Sequence, residues 1–183
     1  MSNSLIKTII YQMNWFTVCL VEVEKAAKHI NTFIEQYEES QKLLKLQKCI
    51  VNPINLVKPG RKLIKEGALM RVSRRGSSAY RRYFVLLNDI LLYCKGDPQN
   101  SLTICCVLPL NKCKIESVLS GGLFRITCLN ETLLLYSEKD DSNLWLTAIQ
   151  SSIKKVLLKD YNSFCYVNIV FNNLSTLSFY FSM

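Results

Sequence analysis

Only one histidine, His29, stands in the chain, and none of its eight cysteines is spaced as C-x-x-C, so no zinc-ligand set can be assembled. There is no G-x-S-x-G, no Walker loop and no cysteine placed beside that histidine. No catalytic residue, cofactor or metal is expected. Glu38 and Glu39 are adjacent on a helical stretch and point apart, which suits solvated surface rather than an acid/base pair. Internal repeats and low-complexity tracts are also missing.

Long apolar runs are scarce. Residues 5–21 are apolar enough to notice, but Lys7, Gln12 and Asn14 interrupt them and they fall short of the ~20 residues a spanning helix needs. A signal anchor stays open there as a lesser reading. Residues 161–183 hold no charged side chain, yet four asparagines and several serines make them a poor hydrocarbon span. They read as β-prone and sticky. The cysteines at 94, 105, 106 and 128 sit in apolar runs, as small buried hydrophobes of a reducing compartment would.

Acidic charge is in deficit: 14 Asp and Glu against 23 Lys and Arg leave a net +9 over 183 residues. Such a balance favours acidic partners, whether nucleic acid, anionic lipid or an acidic protein face. At 49% hydrophobic residues the chain can bury a sizeable core, and its length suits about one domain of roughly 100–200 residues.

Five segments follow from patterning. Residues 1–21 are an unassigned apolar segment, and 22–48 place Val23, Ala27, Ile30, Ile34, Tyr37 and Leu44 at helical spacing on a long amphipathic helix. Residues 49–60, with Asn52-Pro53 and Lys58-Pro59-Gly60, form a linker. Within 61–158 the period changes to short strands expected at 63–73, 81–87, 90–95, 102–108, 112–119, 123–128 and 132–136, with tight turns at Asn88-Asp89, Gly121-Gly122 and Asn130-Glu131. A second helix is expected from Ser137, which has capping-box spacing to Asp140, to about Leu158, with Trp145, Ile149, Ile153 and Val156 on one face. Residues 159–183 stay an unassigned, largely uncharged tail.

The run Leu63-Ile64-Lys65-Glu66-Gly67-Ala68-Leu69-Met70-Arg71 and the run from Tyr80 to Cys94 resemble the first three strands of a pleckstrin homology (PH) domain. Trp145 stands where that family keeps its tryptophan. Upstream, Gln41 to Gln47, then Ile50-Val51-Asn52-Pro53, resemble the junction of Dbl-type Rho guanine nucleotide exchange factors, closest to the FYVE, RhoGEF and PH domain-containing proteins. The resemblance implies an all-β fold with helices: a seven-stranded antiparallel barrel or sandwich capped by a C-terminal helix and preceded by one long helix. It also implies structural roles for Gly67 and Trp145, with the tryptophan plugging the barrel's open end. A Dbl homology domain needs many more helices than 22–48 supply, so exchange activity is not expected of these residues.

Nine basic residues and one acid, Glu66, fall between Lys58 and Arg82 and carry +8 of the net +9. With Arg71 ending one strand and Arg82 starting the next, the two converge on one anion beside the loop carrying Arg74 and Arg75, and Arg81 adds charge. Phosphate of an inositol head group suits such forks. The family's phosphoinositide pattern is Lys, a loop, a basic residue, any residue, Arg; here Arg71 and Arg82 match its ends and Tyr80 takes the middle basic place. Weak attraction to acidic phospholipid is therefore expected, with a cytoplasmic protein peripheral at a membrane or the cytoskeleton. The plainer reading is a solvated edge that discourages strand pairing. Basic residues interleaved with Tyr80, Tyr83 and Phe84 superficially suggest nucleic acid, but Tyr83 and Phe84 alternate across a strand, so no nucleic acid partner is expected. The alternative function is a protein-interaction scaffold that holds a Rho-family GTPase or another signalling partner, with lipid incidental.

Overall fold

The structure, a computed structural model, describes residues 2–52, 54–73, 76, 78–118 and 122–180, the side chains of 2–6, 8–12 and 162–180 aside. Arg74 and Arg75, and Gly121 of one expected turn, lie outside the described residues.

The chain opens with helix α1 (Ser2–Lys48) and continues into strands β1 (Leu63–Val72), β2 (Ala79–Leu87), β3 (Ile90–Asp97) and β4 (Ser101–Pro109). A single 3-10 turn at Leu110–Lys112 leads to β5 (Cys113–Ser117), β6 (Phe124–Cys128) and β7 (Glu131–Tyr136), and helix α2 (Ser142–Tyr180) ends it. Helix α1 includes the apolar residues before 22 because neither glycine nor proline stands between Ser2 and Lys48 to break it. Helix α2 likewise continues beyond 158 as helix where β-prone chain was expected. It contains no breaker, and extending a formed helix costs far less than nucleating one.

The seven strands form one antiparallel sheet in the order β4-β3-β2-β1-β7-β6-β5. No ladder joins β4 to β5, so the sheet stays open instead of closing into a barrel. One face carries Phe84, Leu91, Phe124 and Leu135 against Trp145 and Ile149 of α2. Trp145 is 1% exposed; truncating a buried Trp to Ala typically costs about 3–5 kcal/mol.

The other face is also covered. Leu43 and Leu46 of α1, with Ile50 and Leu56, pack on Val85, Leu87, Leu92, Cys94 and Leu102. This explains why β2 buries four residues in succession, Phe84 to Leu87, where a sheet wet on one face would alternate. Linker and β4 are then stitched together. Leu102 N–H donates to Cys49 O at 2.7 Å, and Val51 N–H donates to Leu102 O at 2.9 Å. The Asn52 side chain accepts from Ile104 N–H at 2.9 Å and donates to Ile104 O at 3.2 Å, so an amide side chain stands in for a strand.

The start of α2 differs from the capping box expected at Ser137 and Asp140. Asp140 adopts φ 57, and Asp141 precedes the first helical residue. Its carbonyl accepts from Trp145 N–H at 3.1 Å, while its carboxylate accepts from the Ser137 hydroxyl and pairs with Lys65 at 3.3 Å. Ser137 N–H donates to Ser142 Oγ at 2.8 Å. The charge at the helix start thus sits one residue later than the spacing suggested.

Candidate anion-binding site

Antiparallel register decides which basic residues of the first hairpin meet. Leu69 faces Arg82 and Arg71 faces Tyr80, so with the period of two all four side chains lie on one sheet face, while Arg81 opposite Met70 lies on the other. Tyr93 of β3 pairs with Phe84 and shares that first face.

The two arginines converge on the Tyr93 hydroxyl. Arg71 Nη1 donates to it at 2.9 Å and Arg82 Nε at 3.2 Å, using the two acceptor lone pairs of a phenol oxygen. Aromatic faces hold both guanidiniums: Arg71 Cζ lies 5.2 Å from the Tyr93 ring centroid, and Arg82 Cζ lies 5.4 Å from that of Tyr80. Arg82 Nη1 also donates to Arg81 O at 2.9 Å. Neither Arg71 nor Arg82 has an acidic partner among the described residues. Two cations therefore share one neutral oxygen.

Other charges of the basic stretch are spent within the fold. Lys65 lies 5.1 Å over the Trp145 ring and pairs with Asp141. Arg61 pairs with Asp89, and burial followed by the nearby Glu66 pushes the Tyr83 hydroxyl up to about 12. Gly67 lies against Trp145, where a Cβ would stand 3.4 Å from Cζ2.

A cavity of about 400 Å³ flanks the hairpin, lined in part by Arg81, Arg82, Gln99, Lys139 and Asp97. It takes in Arg82 but not Arg71, and the Asp97 carboxylate on its wall offsets part of the charge that Arg81, Arg82 and Lys139 bring. Arg71 and Arg82, expected to converge on an anion, meet on the Tyr93 hydroxyl, and Arg81 lies on the other sheet face. Tyr93 was missed, since an aromatic in an apolar strand carries no sequence signal for holding cations. Tyr80 was legible only as a departure from a basic pattern, and it lies under the Arg82 guanidinium.

A profile of the PH domain family matches residues 63–154. FYVE, RhoGEF and PH domain-containing protein 4 of Mus musculus is 32% identical over 140 residues, covering 72% of this chain and 18% of that protein. Protein 6 of the same series in Mus musculus is 31% identical over 147 residues, covering 76% of this chain and 10% of the relative. The chain thus spans less than a fifth of the length of these relatives. Among solved structures, the PDZ-RhoGEF DH/PH domains in complex with GTP-gamma-S activated RhoA align with a TM-score of 0.54 at 25% identity, over 69% of this chain and 43% of that one. The Vav1 exchange factor with its PH and C1 domains aligns with a TM-score of 0.59 at 20% identity, over 69% and 35%. The open seven-stranded sheet, the helix plugging it through Trp145 and the family match over half of the chain agree, and the chain belongs to the PH domain family, as a relative of the FYVE, RhoGEF and PH domain-containing exchange factors.

Proposed function

We propose that this chain is the PH portion of a Rho guanine nucleotide exchange factor that binds acidic phospholipid weakly and takes part in Rho GTPase signalling at the cytoplasmic face of a membrane. The observation that supports this reading is the arginine pair on Tyr93, two oriented forks with no carboxylate between them. A phosphate monoester there gains charge-assisted, bidentate hydrogen bonds and relieves the repulsion of two neighbouring cations. Arg81 and the loop arginines Arg74 and Arg75 add long-range attraction of about 1 kcal/mol per residue close to the leaflet. With Tyr80 in the family's middle basic place, affinity is modest and selectivity among phosphoinositides low.

The residues present do not catalyse exchange in this reading. Prising a nucleotide from a GTPase needs a multi-helix surface, and α1 alone precedes the linker here. A Rho-family GTPase remains a partner by relation to the DH/PH structures.

Liposome co-sedimentation of the whole chain tests the lipid site, with neutral, phosphatidylserine and phosphoinositide vesicles at low and high salt. Binding is expected only with anionic vesicles, fading with salt. Arg71→Ala/Arg82→Ala should weaken it by about 2 kcal/mol, some thirtyfold, at two leaflet-facing charges. Equal binding by the double variant, or none to any vesicle at low salt, would sink the lipid reading and favour the protein-interaction scaffold.

A further inference from the structure

We infer that α1 is a self-association element: its exposed apolar seam pairs, in parallel, with the same seam of a second copy of this chain. From Phe16 to Tyr37 every position reached by alternating steps of four and three residues is apolar, with Leu20, Val23, Ala27, Ile30 and Ile34 between. The polar Gln41 and then Leu44 continue the rhythm. A repeat of 3.5 residues keeps a helix in contact with another helix that supercoils around it, and exposed Trp15, Val18, Val21 and Phe33 lie beside or off this seam. The apolar pattern spans three heptads from Phe16 to Tyr37, four with Gln41 and Leu44, which meets the length that marks a coiled coil.

The seam is bare. Phe16 is 74% exposed, Ile30 60% and Tyr37 60%, an apolar surface that monomers rarely leave uncovered over such a length. At about 100° per residue, Leu43 and Leu46, which dock α1 on the sheet, lie on the opposite side of the helix from the seam. A partner helix and the sheet can therefore occupy α1 together.

The flanks choose orientation and partner. Glu24, Glu38 and Lys45 follow the seam on one side, and Cys19, Phe33 and Ser40 precede it on the other. In a parallel pair these unlike flanks meet and no like charges oppose. An antiparallel pair sets the flank carrying both glutamates against its own copy. The seam between Phe16 and Tyr37 holds no charge with which a foreign helix would be selected, and a second copy in register matches each layer with itself; Gln41 opposite Gln41 then fixes that register. Both sheet modules end up at one end of the pair. If the lipid reading above holds, two weak sites then face one membrane and act with avidity.

Sedimentation equilibrium of the whole chain across a concentration series tests this without lipid. The expected mass is that of two chains, falling to one for Ile30→Lys or Ile34→Lys, and staying at two for Val18→Lys, an exposed apolar residue off the seam. Circular dichroism verifies that each variant keeps its helix. With oxidised glutathione, Val23→Cys should bridge to its own counterpart, which lies beside it in a parallel pair and not in an antiparallel one, as mass spectrometry of the peptides reads out. A monomer at every concentration, or a dimer untouched by both seam lysines, overturns the inference and leaves the seam to another protein's helix. A dimer whose Val23→Cys variant does not bridge to its counterpart overturns the parallel arrangement.

Discussion

Arg61 reaches across 28 residues of chain to Asp89, with its Nε 2.9 Å from Oδ1 and its Nη2 on Oδ2, and so bolts the linker to the β2–β3 turn. The guanidinium is nearly buried, its side chain 6% exposed, while the carboxylate is 44% exposed. Its remaining fork is used as well: Nη1 donates to Leu56 O at 3.1 Å and Asn55 O at 3.2 Å. One side chain thus holds the segment that seats Leu56 in the cluster beneath α1.

Arg61→Ala should cost about 2 kcal/mol, because it strands two carbonyls and half of an ion pair whose other partner keeps water. Arg61→Lys should recover only part of that, since an ammonium cannot reach carboxylate and carbonyls in one plane. Urea unfolding gives the measurement. An unchanged midpoint for the alanine variant would mean that the linker is held by its apolar contacts alone.

Asp141 sets an acid limb of stability. The Ser137 hydroxyl and then Lys65 hold its carboxyl below the ordinary value of 3.8, against the opposing effect of burial. A group depressed on folding contributes fully above its unfolded value and loses that contribution as pH falls through the folded one. Glu39 is depressed in the same sense, first by Lys42. Stability is therefore expected to decline below pH 4.5, first through Glu39 and from 3.8 through Asp141 as well, and Asp141→Asn should make that limb shallower while costing up to about 1 kcal/mol at neutral pH. Thermal melts over an acid pH series decide it; parallel curves for the two proteins would contradict the assignment.

Thiol reactivity should divide along burial. Cys19 and Cys105 are exposed, whereas Cys94, Cys113 and Cys128 are buried. Burial pushes the Cys94 thiol up to about 12 and raises Cys113 and Cys106 as well. At pH 8 Cys94 then holds roughly four orders of magnitude less thiolate than a group titrating at the assay pH. Labelling with a disulfide reagent, read by mass spectrometry, should mark Cys19 and Cys105 at once and Cys94 only with denaturant. Early labelling of Cys94 would show that the α1–sheet interface opens.

Much of the candidate site was legible early because its signals are local. The density of arginine around the first hairpin, and the prospect that Arg71 and Arg82 meet, follow from strand alternation and a short connection. The anchor was not legible. Tyr93 is flanked in sequence by the apolar Leu91, Leu92 and Cys94, and only pairing of β3 beside β2 places its hydroxyl between two guanidiniums. Asp141 escaped notice for a related reason: the capping spacing from Ser137 was satisfied on paper by Asp140, but Asp140 takes a positive φ and hands the role to its neighbour.

By itself the sequence determined the order of elements, the change from helical to alternating period at the linker, the net charge and the family, because each of these is written in residue types along a short stretch. Tertiary structure decided what long-range pairing controls. It left β4 and β5 unjoined, buried both faces of β2 by laying Leu43 and Leu46 on the outer side, and sent Arg81 away from Arg82. Burial and register depend on which distant segments share a face, and one chain's local pattern carries no record of its neighbours until the sheet assembles.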